Sequence, residues 1–559
     1  MNLGGNSRFS MSAQNDIQRS IFDRSNSLVT SFSAAKLIPV YVDEVLPGDT
    51  VTMDMSSLVR MATPVYPVMD NAYLDLHWFF VPNRLVWDNW KYFMGESKTA
   101  WDDETDYEVP FDNVASVATD GAGYHNVYDY FGLPIEATAT AGAFAIPCNA
   151  LFRRAYQLTW NEWYRDQNLQ DPVLIDTGDT GVSSADLDDI PSAFRVLPVN
   201  KYKDYFTSAL PQPQLGESVP ILSQPIPVIT GVKSHALSVS GVSSDVAPLK
   251  VVGNTGTLAS AGYALGVGSG GALYRTTTNA FTGNAPGFFS NLYAEPALAA
   301  NTINDLRLAF ATQRLLEKDA RSGHRYREIV KAHFGTDVGD ARVQVPEYLG
   351  GAHIPLNVMQ VIQQSSTANE PSPLGETGAF SKTVHRQSMF TKSFVEHGIL
   401  LGLAMVRTDH SYQQGIHRMF SRKSRLDYYW PSLANIGEQP ILNKEIFANG
   451  SSADNEVFGY QEAWGEYRYR PSQITGDMRQ RQGVVTTRTD LSQWHYGDFY
   501  ESVPALSDEW VQETTENIAR TLAVQDTDLS DQFIGQFYFK ARWARPMPMY
   551  SIPGLADHF

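Results

Sequence analysis

The chain has 559 residues, 43 Lys and Arg against 61 Asp and Glu, a formal charge of −18 and a single cysteine, Cys148. That balance excludes a protein whose whole surface is basic for nucleic acid, and one thiol excludes an intrachain disulfide framework. Charged residues are only 19% and aromatics 12%, a composition suited to short strands, many turns and large contacts between copies of the chain.

Met1 to Lys36 carries Arg8, Arg19, Arg24 and Lys36 against Asp16 and Asp23. It is rich in Ser and Asn without sustained periodicity, and is expected to be an arm, partly ordered or interior. It has no apolar h-region, so no signal peptide is expected. Strands follow: Ile38, Val40 and Val42 alternate before the turn Pro47-Gly48-Asp49, and Leu74, Leu76, Trp78 and Phe80 share one face opposite Asp75 and His77. Leu151 to Arg165 has helical spacing, with Leu151, Ala155, Leu158 and Trp160 on its buried side.

Residues 211–300 differ from their surroundings, with many Gly, Ser and Thr and six charges that cancel. This stretch is expected to be an inserted excursion with short strands of its own, disorder being the alternative. Asn304 or Asp305 is expected to cap a helix running to about Lys318, continued to Phe334 with a break at Gly323. Gly398 to Val406 is the longest apolar run and is too short for a bilayer, which needs about 20 residues, so a soluble protein is expected. Val457 to Arg470 alternates with a phase change near Gly465, where a bulge is expected. Phe537, Phe539, Ala541 and Trp543 fall on one face, with Gln536, Lys540 and Arg542 on the other. Strand material at both ends predicts a sheet structure closed from both termini, with the middle inserted. The expected organisation is an arm at 1–36, core strands with inserted loops and a helix at 37–210, the insertion at 211–300, and a helix with the remaining strands at 301–559.

No catalytic motif emerges. Gly266-Val267-Gly268-Ser269-Gly270-Gly271 satisfies GxGxxG, but a Thr-rich stretch follows where a dinucleotide site needs a helix. His410 and His417 lack a third partner for a metal, and a satisfied polar or surface role is expected. The acidic run Asp102 to Glu108 lacks the Gly and terminal Glu of a calcium loop. Cys148 is expected to be a small buried residue. No enzyme, cofactor or metal is predicted. DNA contact needs cations interleaved with aromatics. Two places offer that: Arg8, Phe9, Arg19, Phe22 and Arg24 in the arm, and Arg422, Lys423 and Arg425 beside Tyr428, Tyr429 and Trp430. From composition alone a carbohydrate-binding β-sandwich, or a hydrolase on a β-scaffold, competes with a self-associating shell protein.

Motifs along the whole chain narrow this. Lys36-Leu37-Ile38-Pro39 precedes Asp43-Glu44-Val45-Leu46-Pro47-Gly48-Asp49, then Pro67-Val68-Met69-Asp70-Asn71 and Phe79-Phe80-Val81-Pro82-Asn83-Arg84-Leu85-Val86-Trp87. Trp160-Asn161-Glu162-Trp163, Arg165-Asp166-Gln167-Asn168-Leu169-Gln170-Asp171 and Pro346-Glu347-Tyr348-Leu349-Gly350-Gly351 come next. Tyr412-Gln413-Gln414-Gly415-Ile416, Asp427-Tyr428-Tyr429-Trp430-Pro431, Phe458-Gly459-Tyr460-Gln461-Glu462, Glu466-Tyr467-Arg468-Tyr469 and Asp557-His558-Phe559 complete the series. In this order they resemble the major capsid proteins of microviruses, in the gokushovirus-like branch; the likeness thins at 115–145 and 211–300.

The resemblance implies a mainly β fold, a single eight-stranded antiparallel jelly roll with long inter-strand insertions and a few helices. It implies a T = 1 icosahedral shell around circular single-stranded DNA, found in the virion and assembled in the bacterial host cytoplasm. Residues 211–300 match an insertion that forms a surface protrusion near the threefold axes. Partners would be further copies of the chain, the genome, a small basic DNA-binding protein, an internal scaffolding protein, a pilot protein and a host-surface receptor. Trp87, Trp90, Trp430 and Arg468 are the expected subunit-interface anchors, although a core role competes for each Trp.

Overall fold

Period-2 alternation builds the centre of the molecule, a computed structural model. The structure describes residues 18–97, 107–115, 125–134, 145–182, 194–216, 228–230, 265–267, 273–275, 292–294, 303–337, 339, 344–365, 374–375, 377–480, 491–526 and 530–550. Arg8, Phe9, the acidic residues 102–106 and the motif at 557–559 lie outside these.

The long strands are β1 (Ser20–Asp23 and Asn26–Phe32, one interrupted strand), β2 (Ile38–Val45), β3 (Thr50–Met61), β4 (Ala72–Pro82), β5 (Glu347–Pro355), β6 (Thr383–Ser393), β7 (Gly398–Thr408) and β8 (Phe533–Arg545). They form two sheets of order β1-β8-β3-β6 and β5-β4-β7-β2. All pairings are antiparallel and nested, β1 with β8, β2 with β7, β3 with β6 and β4 with β5. β8 also pairs with β3 and β7 with β4. First with last and second with seventh is the winding of a jelly roll, two sheets facing each other across one core.

The register puts alternate residues of β8, among them its Phe and Trp side chains, inward. Phe537, Phe539, Ala541 and Trp543 lie opposite Ser57, Met55, Met53 and Val51 of β3 and are fully buried. They meet Leu74, Leu76, Trp78 and Phe80 of β4 across the sandwich. Each such side chain stabilises the fold by about 1.5–3 kcal/mol. Gly48, at φ +91°, makes the turn between β2 and β3, and Asp49 closes it by accepting the Leu46 N–H at 2.9 Å while pairing with Arg545 at 3.1 Å.

The sheet containing β4 and β7 is covered on its back as well. Phe79, Val81, Leu401, Leu403 and Met405 pack there against Leu151, Ala155, Tyr156 and Trp160 of helix α1 (Leu151–Trp163). Double coverage explains why Gly398 to Val406 reads as an unbroken apolar run. It also places Asp75, expected on a polar face, in the interior, where Tyr202 donates to it at 2.7 Å and Arg407 at 3.1 Å.

Several expectations change. The polar stretch after Gln18 is not an arm: Ser20 to Phe32 is the first strand of the jelly roll, held on the edge by β8. Edge strands carry no strong apolar alternation, which is why periodicity missed it. Val457 to Arg470 is a strand only to Glu462; Trp464 then adopts φ +65° and the chain turns through a 3₁₀ segment at Gly465–Tyr467, so there is a corner in place of a bulge. Helices α2 (Ile303–Ser322) and α3 (Tyr326–Phe334) are separated by Gly323 at φ +91°, as the sequence indicates, but Asn304 and Asp305 fall inside the first turn of α2. Gly266 lies in a short ladder opposite Tyr274, with a strand where a dinucleotide site would have its helix. Cys148 is half-buried, and burial with the nearby Asp112 carboxylate raises its thiol to about 11.

The chain divides into two compact units, Met1–Pro213 with Asp319–Phe559, and Gln214–Lys318. In the second, Val228–Thr230 pairs with Leu292–Ala294 and Leu265–Val267 with Leu273–Arg275.

Candidate functional site

Between β7 and β8 the chain makes a long excursion whose base is a small core of Phe206, Ala209, Tyr412, Ile441, Ile446 and Phe458. On that base, three 3₁₀ turns at Arg418–Phe420, Arg425–Asp427 and Pro431–Leu433 lead to the ladder Glu438–Leu442 with Val457–Glu462. The turn at Gly465–Tyr467 then folds back beside them, so Glu466-Tyr467-Arg468-Tyr469 and Asp427-Tyr428-Tyr429-Trp430 meet in space. The Tyr429 ring lies 5.7 Å from Trp464 and 6.3 Å from Tyr467.

A polar frame holds this arrangement. Glu466 is buried, its side chain 3% exposed, and takes the Arg422 guanidinium at 3.0 Å. Asp427 accepts the backbone N–H of Lys423 and Ser424 at 2.8 and 2.7 Å; these donors hold its carboxyl below the usual range. Trp430 donates its indole N–H to the Arg425 carbonyl at 3.0 Å, and Trp464 donates to that of Leu433 at 2.9 Å. Arg418 sits 3.6 Å from Glu445, whose carboxyl is raised by burial.

The outside of this frame is apolar. Phe420 is 74% exposed, Leu426 69%, Ile436 54% and Tyr469 55%, and Tyr428, Tyr429, Tyr467 and Trp430 are exposed beside them. Scattered exposed apolar residues are ordinary, but so many exposed Phe, Tyr, Trp, Leu and Arg in one excursion have the composition of a protein–protein contact. Fixed aromatic side chains lose little entropy on docking.

The sequence-predicted residues distribute unevenly. Trp430 lies on this surface. Arg468 borders it, pairing with Glu462 and donating to the Ala463 carbonyl at 3.1 Å. Trp87 does not: it is 0% exposed and donates to Asp179 at 2.7 Å, so it is a core residue and not an interface anchor. Trp90 is half-buried, against Trp87, Phe93 and His397. Of the proposed DNA contacts, Arg422 is turned inward to Glu466, its guanidinium 4.3 Å from the Tyr467 centroid and 5.5 Å from that of Tyr428. Arg425 covers Trp430 at 4.6 Å, and Lys423 is exposed. Arg24 pairs with Asp43 at 2.9 Å and lies over Trp543, while Arg19 is exposed. One face each of Tyr467 and Trp430 is thus taken by a guanidinium of the same chain.

His410 and His417 serve different places. His410 is buried between Asp498 and Glu513; His417 caps the turn at Arg418, accepting the Met419 N–H at 3.2 Å. The contributions of Phe420, Leu426 and Ile436 escaped the sequence reading, because isolated apolar residues between charges carry no periodic signal.

Among the described residues no group of three or more His, Cys, Asp or Glu is placed to hold a metal ion. The comparisons with known proteins speak to the role directly. The family model described as capsid protein (F protein) matches residues 10–555. The chain is 40% identical to capsid protein VP1 of Chlamydia phage 1, over 98% of this chain and 97% of that one. It is 39% identical to capsid protein VP1 of Bdellovibrio phage phiMH2K, over 97% and 96%, and 37% identical to that of Spiroplasma virus 4, over 98% and 97%. The chain belongs to the microvirus capsid protein (F protein) family, with gokushovirus-type relatives, and is a structural protein of the virion, not an enzyme.

Proposed function

We propose that copies of this chain close into a T = 1 icosahedral shell around a circular single-stranded DNA genome, assembled in the bacterial host cytoplasm. The observation that carries this reading is the aromatic and Arg surface at 418–436 and 466–470, held by its own ion pairs and left exposed on the single chain. Each shell contact buries such a surface against a different patch of a neighbour, and many modest contacts sum when the rotations close. The charge of −18 means that most of the packaged phosphate is neutralised by other cations, which a small basic DNA-binding protein would supply. An internal scaffolding protein and a pilot protein complete the set of viral partners. The insertion at 211–300 faces outward and meets a host-surface receptor; deleting residues 220–290 spares the jelly roll and impairs attachment, whereas global unfolding counts against that role.

Electron microscopy of the purified native protein, with a nuclease-protection assay, tests the shell. Closed particles of uniform size holding protected single-stranded DNA are the expected result. A monomer under every assembly condition, with no particles and no protected DNA, refutes the proposal.

A further inference from the structure

The solvent face of the β1-β8-β3-β6 sheet has a different chemistry from the rest of the chain. Its register rows are Asp23–Arg542–Thr52–Thr391, Lys540–Asp54–Ser388, Ser27–Tyr538–Ser56–Arg386, Val29–Gln536–Leu58–Val384 and Ser31–Ile534–Arg60. Residues directly opposite across antiparallel strands share a face, so these rows form one surface. It extends roughly 27 Å along β8, from the Arg60 row to the Arg542 row, at about 3.4 Å per residue.

Four cations, Arg60, Arg386, Lys540 and Arg542, stand on this face against two acids, Asp23 and Asp54. The face is positive on a chain whose total charge is −18. Among the described residues none of the four cations forms an ion pair, whereas Arg153, Arg407, Arg418 and Arg422 are each committed to a carboxylate. Hydroxyl groups fill the positions around Arg386, Lys540 and Arg542, while Val29, Leu58, Val384 and Ile534 make an apolar band between Arg386 and Arg60. Near the centre is Tyr538, exposed, with serines on both cross-strand sides. Its cross-strand neighbours are small. Unpaired cations, hydroxyl donors and an exposed ring are what a single-stranded polynucleotide requires.

We propose that this sheet face is the surface on which the chain holds single-stranded nucleic acid, with Arg60, Arg386, Lys540 and Arg542 against phosphates and Tyr538 under a base. It rests on the reading that the shell encloses single-stranded DNA, and names the face turned to it. Association is electrostatic and tolerant of sequence, each phosphate contact releasing counterions.

The test is fluorescence anisotropy of a labelled oligo(dT) titrated with the full-length chain over a range of NaCl concentrations. Single-strand binding changes its log–log salt slope by about 0.7 for each cation removed. The variant Arg60→Gln/Arg386→Gln/Lys540→Gln/Arg542→Gln therefore loses up to about 3 from the slope. Asp54→Asn, which leaves all four cations in place, binds more tightly at low salt. Lys423→Gln/Arg425→Gln keeps the wild-type slope. A quadruple variant with the wild-type slope, an Asp54→Asn variant with unchanged affinity, or a slope lost at Lys423 and Arg425 overturns the proposal. Shells that fail to form while these slopes behave as expected count against the assembly reading alone.

Discussion

His410 and Asp498 meet inside the subunit, imidazole Nδ1 to carboxylate Oδ2 at 2.9 Å, with both side chains almost fully buried. The other ring nitrogen lies 3.1 Å from Glu513, so the ring is an imidazolium clasped by two carboxylates. Burial alone would lower its pKa; Asp498 and Glu513 override burial and push it up to about 10. Burial likewise opposes the Asp498 charge, but Lys201, His410 and Asn517 hold its carboxyl well below the usual range. Thr408, at the end of β7, donates to Glu513 at 3.1 Å, tying the jelly roll to the segments around 498 and 513.

The clasp gives a signed pH dependence. His410 titrates near 6.5 when unfolded and near 10 when folded, so its contribution is complete below about pH 6.5 and is lost as pH rises toward 10. Thermal melts of the unassembled chain should fall steadily between those limits. His410→Gln should lose about 3–5 kcal/mol at pH 6.5 and flatten that decline. A variant with the wild-type pH slope would assign the dependence elsewhere.

A second buried pair makes a cleaner stability test. Arg153 holds Asp112 through two hydrogen bonds of 2.6 and 3.0 Å, with Tyr128 donating to the same carboxylate. Removing the acid in Asp112→Ala strands a buried guanidinium, with an expected loss of about 3–5 kcal/mol in denaturant unfolding. A loss below about 1 kcal/mol, the range of a surface pair, would show that water reaches the site.

Two tryptophans separate folding from assembly. Trp87→Ala opens a cavity in the core behind the β4-β7 sheet and should cost about 3–5 kcal/mol of stability. Trp430→Ala should move the melting temperature little, yet raise the concentration needed for assembly tenfold or more, as loss of about 2 kcal/mol at a contact anchor does. The reverse pattern would place the interface elsewhere.

Much of the fold was legible from the two ends of the chain. The alternation at Leu74 to Phe80 and Phe537 to Trp543 survives because one face of each strand fills the sandwich. What was not legible follows from edges and corners. Ser20 to Phe32 is a polar edge strand, and Trp464 turns the chain in a left-handed conformation that alternation does not announce. Of the residues that the sequence offers as contact anchors, Trp430 stands on the exposed surface and Arg468 at its border. Trp87 took the competing core role, a choice that residue type alone does not make, because type cannot distinguish a core indole from an exposed one. Arg422 looked like a phosphate ligand until folding brought Glu466, 44 residues away in sequence, against it.

An electron-microscopy map of the native particle at side-chain detail is the most direct test of assembly through the 418–436 and 466–470 surface. Phe420, Leu426, Trp430 and Tyr469 should be buried against a neighbouring copy in every subunit. Their exposure to solvent in a closed shell would contradict the account.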